Sequence, residues 1–232
     1  MAGRCVFVTG ATGYMGRALI AALLRRGHRV RALSRPESTR RVPAGAEAVL
    51  GDALAPGTFE RAVSPADTLV HLVGTPHPGP GKAASFRAVD LPSVDAALAA
   101  ARAAQVAHFV YVSVAQPAPV MRAYIAVRRE GEARIRESGI AATILRPWYV
   151  LGPGHRWPHF LVPFYALAER LPPLRDTAVR LGLVTIDQMV SALVKSIESG
   201  PNGLRILDVP AIRAAALPDL YSGDQARSQW KH

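Results

Sequence analysis

Short apolar runs alternate with longer amphipathic stretches along the first 146 residues. Runs of about five β-branched or aromatic residues predict buried strands, as in "RCVFVTG", "HRVRALSR", "AEAVLGD", "DTLVHLVG", "HFVYVSV" and "AATILRP". Between them, "MGRALIAALLRRG", "DLPSVDAALAAARAA" and "RREGEARIRESG" have the length and apolar spacing of helices. Because right-handed crossovers join such strands into a sheet covered on both faces, the pattern predicts an α/β, doubly wound, mostly parallel sheet.

From residue 147 the sequence becomes rich in proline, glycine and aromatic residues. A strand-and-helix pattern, "RLGLVTIDQMVSALVKSIESG", and a last strand pattern, "GLRILDV", follow. We expect residues 147–232 to form a small lobe that completes the sheet and covers a substrate cleft, in one domain integrated with residues 1–146. Its aromatic residues suit either an apolar or aromatic substrate or a simple hydrophobic cover, and they are Trp157, Phe160, Phe164 and Tyr165.

The chain is strongly basic, with 28 basic and 17 acidic residues and a net charge of +11. Seven arginines lie between residues 25 and 41, opposed within that stretch only by Glu37. Two explanations for this concentration of arginines remain open. It either binds an anionic ligand or reflects an arginine-rich composition throughout the chain. Nucleic-acid binding is not expected, because no aromatic residues alternate with the basic ones to stack on bases.

The cysteine content and the hydropathy pattern indicate in which cellular compartment the protein is expected. Cys5 is the only cysteine, which excludes a disulfide framework and a thiolate metal site. No leader pattern precedes the first strand, and no run approaches the roughly 18 apolar residues of a membrane span, so a cytoplasmic protein is expected. No metal site is expected either, since paired-ligand spacing is lacking among His71, His77, His155 and His159.

Three glycines in "VFVTGATGYMGRAL" separate the first strand from the first helix. Gly10 allows a tight turn, Gly13 lets backbone approach a pyrophosphate, and Gly16 allows close packing of helix on strand. The helix N-terminus adds free amide donors. Residues 1–146 are therefore expected to form a dinucleotide-binding core of the Rossmann type.

The loop "TGATGYMG" resembles the TGxxGxxG loop of the atypical and extended short-chain dehydrogenase/reductases. That family includes reductases, sugar epimerases, NmrA-like redox sensors and an accessory subunit of complex I. "RESGIAATILRPWYVLGPG" and "VTIDQMVSAL" are similar to later segments of the family, so the resemblance covers nearly the whole chain. The NAD(P)-binding residues that it implies are Gly10, Thr12, Gly13, Tyr14, Met15, Gly16, Ser34, Arg35, Asp52, Ala53, Val73, Gly74 and Pro147.

The end of the second strand favours NADP as the cofactor, with NAD as the alternative. An acidic residue there binds the ribose diol of NAD, whereas arginine accommodates the 2′-phosphate of NADP. This strand ends in Ser34 and Arg35 with no acid, although Arg35 is otherwise interpreted as one more solvated arginine. The resemblance places Asp52 at the adenine amino group, and a cap for the helix near Thr58 is its alternative role.

The resemblance also implies a catalytic site in "AYIAVRREGE". In the family a tyrosine transfers a proton at the substrate oxygen, a lysine four residues later holds the nicotinamide ribose, and a hydroxyl after the fifth strand binds the same oxygen. Here Tyr124 matches, Arg128 stands at the lysine position, and Ser113 ends the fifth strand. A spacing of four puts Tyr124 and Arg128 on one helix face. The alternative is a relic in which Arg128 faces Glu132 and water.

Two functions of different class follow. The first is an NADP-dependent oxidoreductase acting on a small molecule, with Tyr124 as acid/base and Arg128 and Ser113 as partners. The second is a non-catalytic dinucleotide-binding protein, either a redox sensor or an assembly factor for a larger complex. A monomer or a homodimer is expected in both cases.

Overall fold

A computed structural model gives the fold, and it describes residues 3–75, 82–118, 120–152, 181–215 and 217. Strands and helices alternate along these residues. The strands are β1 Cys5–Thr9, β2 Arg29–Ser34, β3 Glu47–Leu50, β4 Thr68–His71, β5 His108–Val112, β6 Ala142–Leu145, β7 Tyr149–Leu151, β8 Leu183–Thr185 and β9 Leu204–Leu207. The α-helices are α1 Tyr14–Arg25, α2 Glu60–Val63, α3 Ala83–Ser85, α4 Leu91–Ala103, α5 Arg122–Glu137, α6 Ile186–Ser199 and α7 Val209–Ala214.

Shorter turns complete the connections. A π-helical turn, Phe86–Asp90, joins α3 directly to α4. Two 3₁₀ helices, Pro36–Arg41 and Pro56–Thr58, follow β2 and β3. Both begin with proline, whose fixed φ suits the first position of a helix.

The main sheet has seven parallel strands in the order β3-β2-β1-β4-β5-β6-β9. The chain runs outward from β1 through β2 to β3 and then returns to β4 on the other side of β1. This confirms the predicted doubly wound sheet, and it places the topological switch point between β1 and β4, where such sheets bind ligands. β7 and β8 form a separate two-stranded parallel sheet.

Helices cover both faces of the sheet. α1 and α6 pack together over one face, with Leu19 and Leu193 among the buried residues of that layer. α4 and α5 pack together over the other face, where Leu98 and Ile135 are buried. β1 is buried along its whole length, as its unbroken apolar sequence predicts for a strand covered on both sides.

Two helices extend beyond the patterns seen in the sequence. α5 begins at Arg122, six residues before the predicted helix, so Tyr124 and Arg128 belong to the same helix. After β9, the chain forms α7, whose first turn is capped when the Asp208 side chain accepts from the Ala211 amide. The aromatic segment around residues 157–165 lies outside the described residues. None of the described helices is long and apolar enough to cross a bilayer.

Candidate dinucleotide and catalytic site

The turn between β1 and α1 requires glycine at two positions. Gly10 has a φ of +70°, and a Cβ there would lie 2.7 Å from the carbonyl carbon of Leu72, just after β4. A Cβ on Gly16 would lie 2.8 Å from the Ala11 carbonyl oxygen and would also overlap the Gly10 carbonyl. The two glycines therefore let the turn fold back onto β4 and let α1 begin directly behind it.

Gly13 has a different surrounding. It is exposed, and a Cβ on it would meet only the Gly10 carbonyl oxygen, at 3.2 Å. It is the N-cap of α1, no side chain caps this end, and the first turn contains no acidic residue. An uncapped helix N-terminus behind an open backbone surface fits the pyrophosphate of a dinucleotide.

Thr12, Tyr14 and Met15 lie at the same helix start and are all half-buried. The Tyr14 hydroxyl lies directly against Gly152, where a Cβ would overlap it. Burial, followed by the charge of Asp187, raises the pKa of Tyr14 to about 12. Tyr14 therefore offers its backbone to the loop while its neutral side chain packs against the region after β7.

Residues at the end of β2 surround the place where the sequence predicts the adenosine ribose. Ser34 is buried, and its hydroxyl lies 3.3 Å from that of Thr39. Arg35 is 66% exposed and pairs at 3.1 Å with the equally exposed Glu37. The arginine is accessible to a phosphate, but a carboxylate already competes for it.

The third and fourth strands end at the same edge of the sheet. Asp52, after β3, is exposed, and its carboxylate accepts from the Leu54 amide, so it closes a local turn and does not cap a helix near Thr58. Ala53 beside it is half-buried. Val73 and Gly74 follow β4, and a Cβ on Gly74 would overlap the Arg128 guanidinium.

Part of the basic cluster in residues 25–41 is neutralised by distant carboxylates. Arg26 pairs with Glu198 of α6 at 2.6 Å, and Arg31 pairs with Glu47, its neighbour on β3. Glu37 is the only acid within this stretch of the sequence, but strand register and helix packing bring in acids from far along the chain.

Tyr124 and Arg128 lie together on α5, as their spacing predicts. The carbon at the centre of the guanidinium lies 5.1 Å from the Tyr124 ring centroid, and Phe86 packs on the same ring with centroids 5.0 Å apart. Tyr124 remains half-buried, whereas Arg128 is 5% exposed. A cation held over a tyrosine ring is a favourable contact, and it fixes the ring relative to the guanidinium.

Arg128 does not face Glu132 or water, so the contacts predicted by that alternative are wrong. Its guanidinium lies 3.4 Å from the Asp90 carboxylate and donates to the Tyr111 hydroxyl at 3.2 Å and to the Val112 carbonyl at 3.1 Å. Burial lowers the pKa of Arg128, but Tyr111, Tyr124 and Asp90 outweigh it and the net shift is upward. The arginine is charged at every accessible pH.

Glu132 is instead the centre of a second buried group. Its carboxylate accepts two hydrogen bonds from Arg146, one from the Ser113 hydroxyl at 2.6 Å and one from the Gln116 amide at 2.9 Å. The Ser113 hydroxyl thus gives its single proton to Glu132. Pro147, buried after Arg146, accepts from the amide of Ala115 at 2.9 Å and closes the same region.

A buried chain of hydrogen bonds links the glycine turn to Asp90. The Thr9 hydroxyl lies 2.8 Å from His71 Nδ1, His71 Nε2 lies 3.2 Å from the Ser93 hydroxyl, and Ser93 donates to the Asp90 carbonyl at 2.8 Å. Because Ser93 donates its only proton to the Asp90 carbonyl, its oxygen can only accept from His71. His71 therefore carries its proton on Nε2 and accepts from Thr9 at Nδ1. Burial, with a smaller effect of Arg128, lowers the pKa of His71 to about 3, so the ring is neutral.

Sequence reasoning missed Asp90 and Gln116. Asp90 precedes an apparent helix and resembles an ordinary helix-start residue, and nothing local connects it to Arg128, 38 positions later. The clue available was the arginine itself, since a buried guanidinium requires a carboxylate partner. Several residues considered in the sequence lie outside the described residues, namely His77, His155, His159 and the aromatic residues Trp157, Phe160, Phe164 and Tyr165 of the expected lobe.

An open glycine turn at the switch point of a parallel sheet defines a dinucleotide-binding protein of the Rossmann class. Residues 10–155 match the NAD(P)H-binding family. The chain belongs to that family. Its fold is similar to that of a short-chain dehydrogenase/reductase, the family that its glycine loop resembles.

Two bacterial reductases are among the relatives of the chain. The chain is 32% identical over 194 residues to a ceramide reductase of Caulobacter vibrioides, covering 82% of this chain and 59% of that protein. It is 29% identical over 189 residues to a 2-alkyl-3-oxoalkanoate reductase of Stenotrophomonas maltophilia, covering 71% and 55%. The chain thus spans little more than half the length of these relatives.

Among solved structures, the Bordetella bronchiseptica enzyme WbmH in complex with NAD+ has a similar fold. The TM-score is 0.66 at 18% identity, covering 88% of this chain and 75% of that one. At this identity the likeness concerns the fold alone.

Proposed function

We propose that the protein is an NADPH-dependent reductase of a carbonyl compound, with Tyr124 as the proton donor. The observation that carries the proposal is the Tyr124 ring held under the Arg128 guanidinium beside Gly74, at the end of β4. Both relatives named above are reductases, and the name of one specifies a 3-oxo acid. That class of substrate is transferred to this chain only as part of the proposal.

The preference for NADPH rests on Arg35. No acidic residue ends β2 to bind a ribose diol, and the exposed Arg35 guanidinium is suited to paired hydrogen bonds with a 2′-phosphate. Glu37 would have to release it. The cost is small, because exposed ion pairs contribute about 1 kcal/mol or less.

In the proposed mechanism the residues of this chain divide the work. When bound, NADPH supplies a hydride to the carbonyl carbon. Gly13 and the amides at the start of α1 would hold the pyrophosphate, and Arg128 would hold the nicotinamide ribose near Gly74. Tyr124 gives its proton to the substrate oxygen, and the Arg128 charge over its ring stabilises the negative charge left behind.

Ser113 is the proposed second donor to the substrate oxygen, but it must first release Glu132. Gln116 is better placed for the same task in one respect. Only one of its two amide protons is used by Glu132, and its side chain is partly exposed. We therefore propose Gln116 as an alternative donor, to be separated from Ser113 by mutation.

A binding protein without turnover is the second candidate, and a specific observation favours it. Asp90 lies 3.4 Å behind Arg128, so its negative charge cancels part of the field at Tyr124. Arg128 and Ser113 are both occupied by partners inside the protein. A dinucleotide could then bind and alter the contacts of this region without any reaction, as in a redox sensor or an assembly factor.

The test uses purified protein with NADPH and a panel of ketones and 3-oxo acids. We expect turnover that Tyr124→Phe reduces about a thousandfold, as for loss of a general acid, while NADPH affinity stays within about twofold. Ser113→Ala and Gln116→Leu, assayed in parallel, identify the second donor as the one whose loss lowers kcat. NADPH binding with no turnover of any member would favour the binding protein.

A further inference from the structure

A cleft of about 530 Å³ opens beside the candidate site and shares Gln116 and Glu132 with it, whereas its arginines have no role in the mechanism proposed above. It lies between α5, the loop after β5 and the end of β6. Its volume is in the range of small-molecule sites. Its charged residues are Arg129, Glu132 and Arg136 from α5, and Arg146 after β6.

Three guanidinium groups share this cleft with a single carboxylate, and that carboxylate is already satisfied. Glu132 is 2% exposed and accepts four hydrogen bonds, two of them from Arg146. Arg146 and Glu132 therefore neutralise each other in the floor of the cleft. The charges left over are those of Arg129 and Arg136.

Arg129 and Arg136 are seven residues apart, so they lie two turns apart on one face of α5, about 10 Å along its axis. Both are exposed, and neither has a carboxylate within 4.0 Å in the part of the chain that the structure describes. Arg134 of the same helix differs, because it pairs with Asp95 of α4 and with Glu130. Arginine is neutralised where α5 meets α4 and is left uncompensated where α5 meets the cleft.

We propose that this cleft binds an anionic group of the substrate, a carboxylate or a phosphate ester, between Arg129 and Arg136. The location supports this, since the cleft floor and the candidate site share Glu132, which accepts from Ser113 at 2.6 Å. Gln116 forms part of the cleft wall and is also a candidate donor to the substrate oxygen. The inference that the anion belongs to a substrate rests on the proposed reductase function, whereas the anion site itself does not.

Binding is tested first, on protein saturated with NADPH so that the glycine turn is occupied. Citrate and pyrophosphate serve as the carboxylate and phosphate probes, titrated by calorimetry at low and high salt. We expect Arg129→Gln/Arg136→Gln to weaken the preferred probe about tenfold, the loss expected for removed charge-assisted hydrogen bonds. The matched control is Arg61→Gln/Arg102→Gln, which removes the same charge from exposed positions on α2 and α4 and should leave binding unchanged.

Equal weakening by the two double variants would overturn the site, because it would mean that overall charge, and not the cleft, attracts the probes. So would the absence of saturable binding by either probe. All variants change exposed residues, and matching melting temperatures would establish that their folds are intact.

Turnover is tested second, with 3-oxo acids and their methyl esters. We expect the acids to have at least about tenfold higher kcat/KM than the esters, and Arg129→Gln/Arg136→Gln to remove that advantage through KM. If acids and esters had equal kcat/KM, and the double variant changed neither value, the substrate assignment would be overturned. The proposed reductase function would be unaffected. If the double variant lost probe binding and no ketone were turned over, the anion site would be supported and the proposed reductase function would be contradicted.

Discussion

The carboxylate of Asp90 lies 3.4 Å from the guanidinium of Arg128, and their side chains are 1% and 6% exposed. The same carboxylate accepts from the Thr75 amide at 2.7 Å and the Thr75 hydroxyl at 2.9 Å, which fixes it at the end of β4. The charged Arg128, held over the Tyr124 ring, is thus stabilised by an acid from the π-helical turn before α4. The arginine at the lysine position is part of a buried pair and is not a surface substitution.

We expect Asp90→Asn to lower the free energy of unfolding by about 3 kcal/mol, because it leaves a buried guanidinium without a compensating charge. Asp95→Asn is the control, since it removes one partner of the exposed pair with Arg134 and should cost less than about 1 kcal/mol. Urea unfolding followed by circular dichroism measures both. Similar small losses in the two variants would mean that the buried pair is not important for stability.

The glycine turn provides a second matched pair. We expect Gly13→Val to abolish dinucleotide binding and leave the fold intact, because its φ of −74° suits a side chain that would occupy the pyrophosphate position. Gly16→Val should instead lower the free energy of unfolding by about 2 kcal/mol or more, through overlap with the backbone of the turn. Calorimetric titration and thermal melting separate the two effects. Retained binding by a folded Gly13→Val variant would place the nucleotide elsewhere.

Cofactor choice is tested at Arg35 and Glu37. We expect Arg35→Ala to weaken NADPH about tenfold and NADH little, since only NADPH has a 2′-phosphate to pair with the guanidinium. Glu37→Gln should strengthen NADPH, because it removes the carboxylate that lies 3.1 Å from Arg35. Titration of both cofactors measures these changes in affinity, with Arg61→Ala as a control at a remote position. Equal losses for NADPH and NADH would exclude Arg35 as the selective contact.

Local patterns predicted the elements of the site well. The β1 run, the three glycines and the start of α1 are adjacent in sequence, so strand, turn and helix follow from neighbouring residues. Tyr124 and Arg128 came together for the same reason, because helix geometry relates positions four apart.

Partners from distant parts of the chain could not be predicted in this way. Arg128 and Glu132 are four apart, yet Glu132 turns to Arg146 at the end of β6, and Asp90 takes its place. Arg31 likewise finds Glu47 only because β2 and β3 pair in a particular register. Such contacts depend on how whole elements pack, which no local spacing encodes.

Stability should fall in acid through Glu198. The Glu198 carboxylate binds Arg26 and lies 3.2 Å from His28 Nε2, and these contacts outweigh burial and lower the pKa of Glu198. A lowered folded pKa stabilises the fold above the ordinary pKa of a glutamate, and this contribution is lost as the pH falls through the folded value. We expect Glu198→Gln to cost about 1 kcal/mol near neutrality and nothing in strong acid. Glu137→Gln, at an exposed position, is the control for the substitution, and melting curves across the acid range compare the two variants.

Arg128→Lys tests whether this site is built around arginine. Lysine would restore the residue usual in the family, but its single ammonium cannot reproduce the guanidinium contacts with Asp90, Tyr111 and Val112 together. We therefore expect the variant to lose about 2 kcal/mol of stability, to bind NADPH more weakly and to turn over more slowly. Arg102→Lys, at an exposed position on α4 outside both proposed sites, controls for the chemistry of the substitution, and steady-state kinetics with cofactor titration measures the effect. A rise in turnover with intact NADPH binding would contradict the expectation. It would mean that arginine at this position lowers the rate of the reaction. No turnover in either form, with NADPH still bound, would leave the dinucleotide-binding protein as the function of this chain.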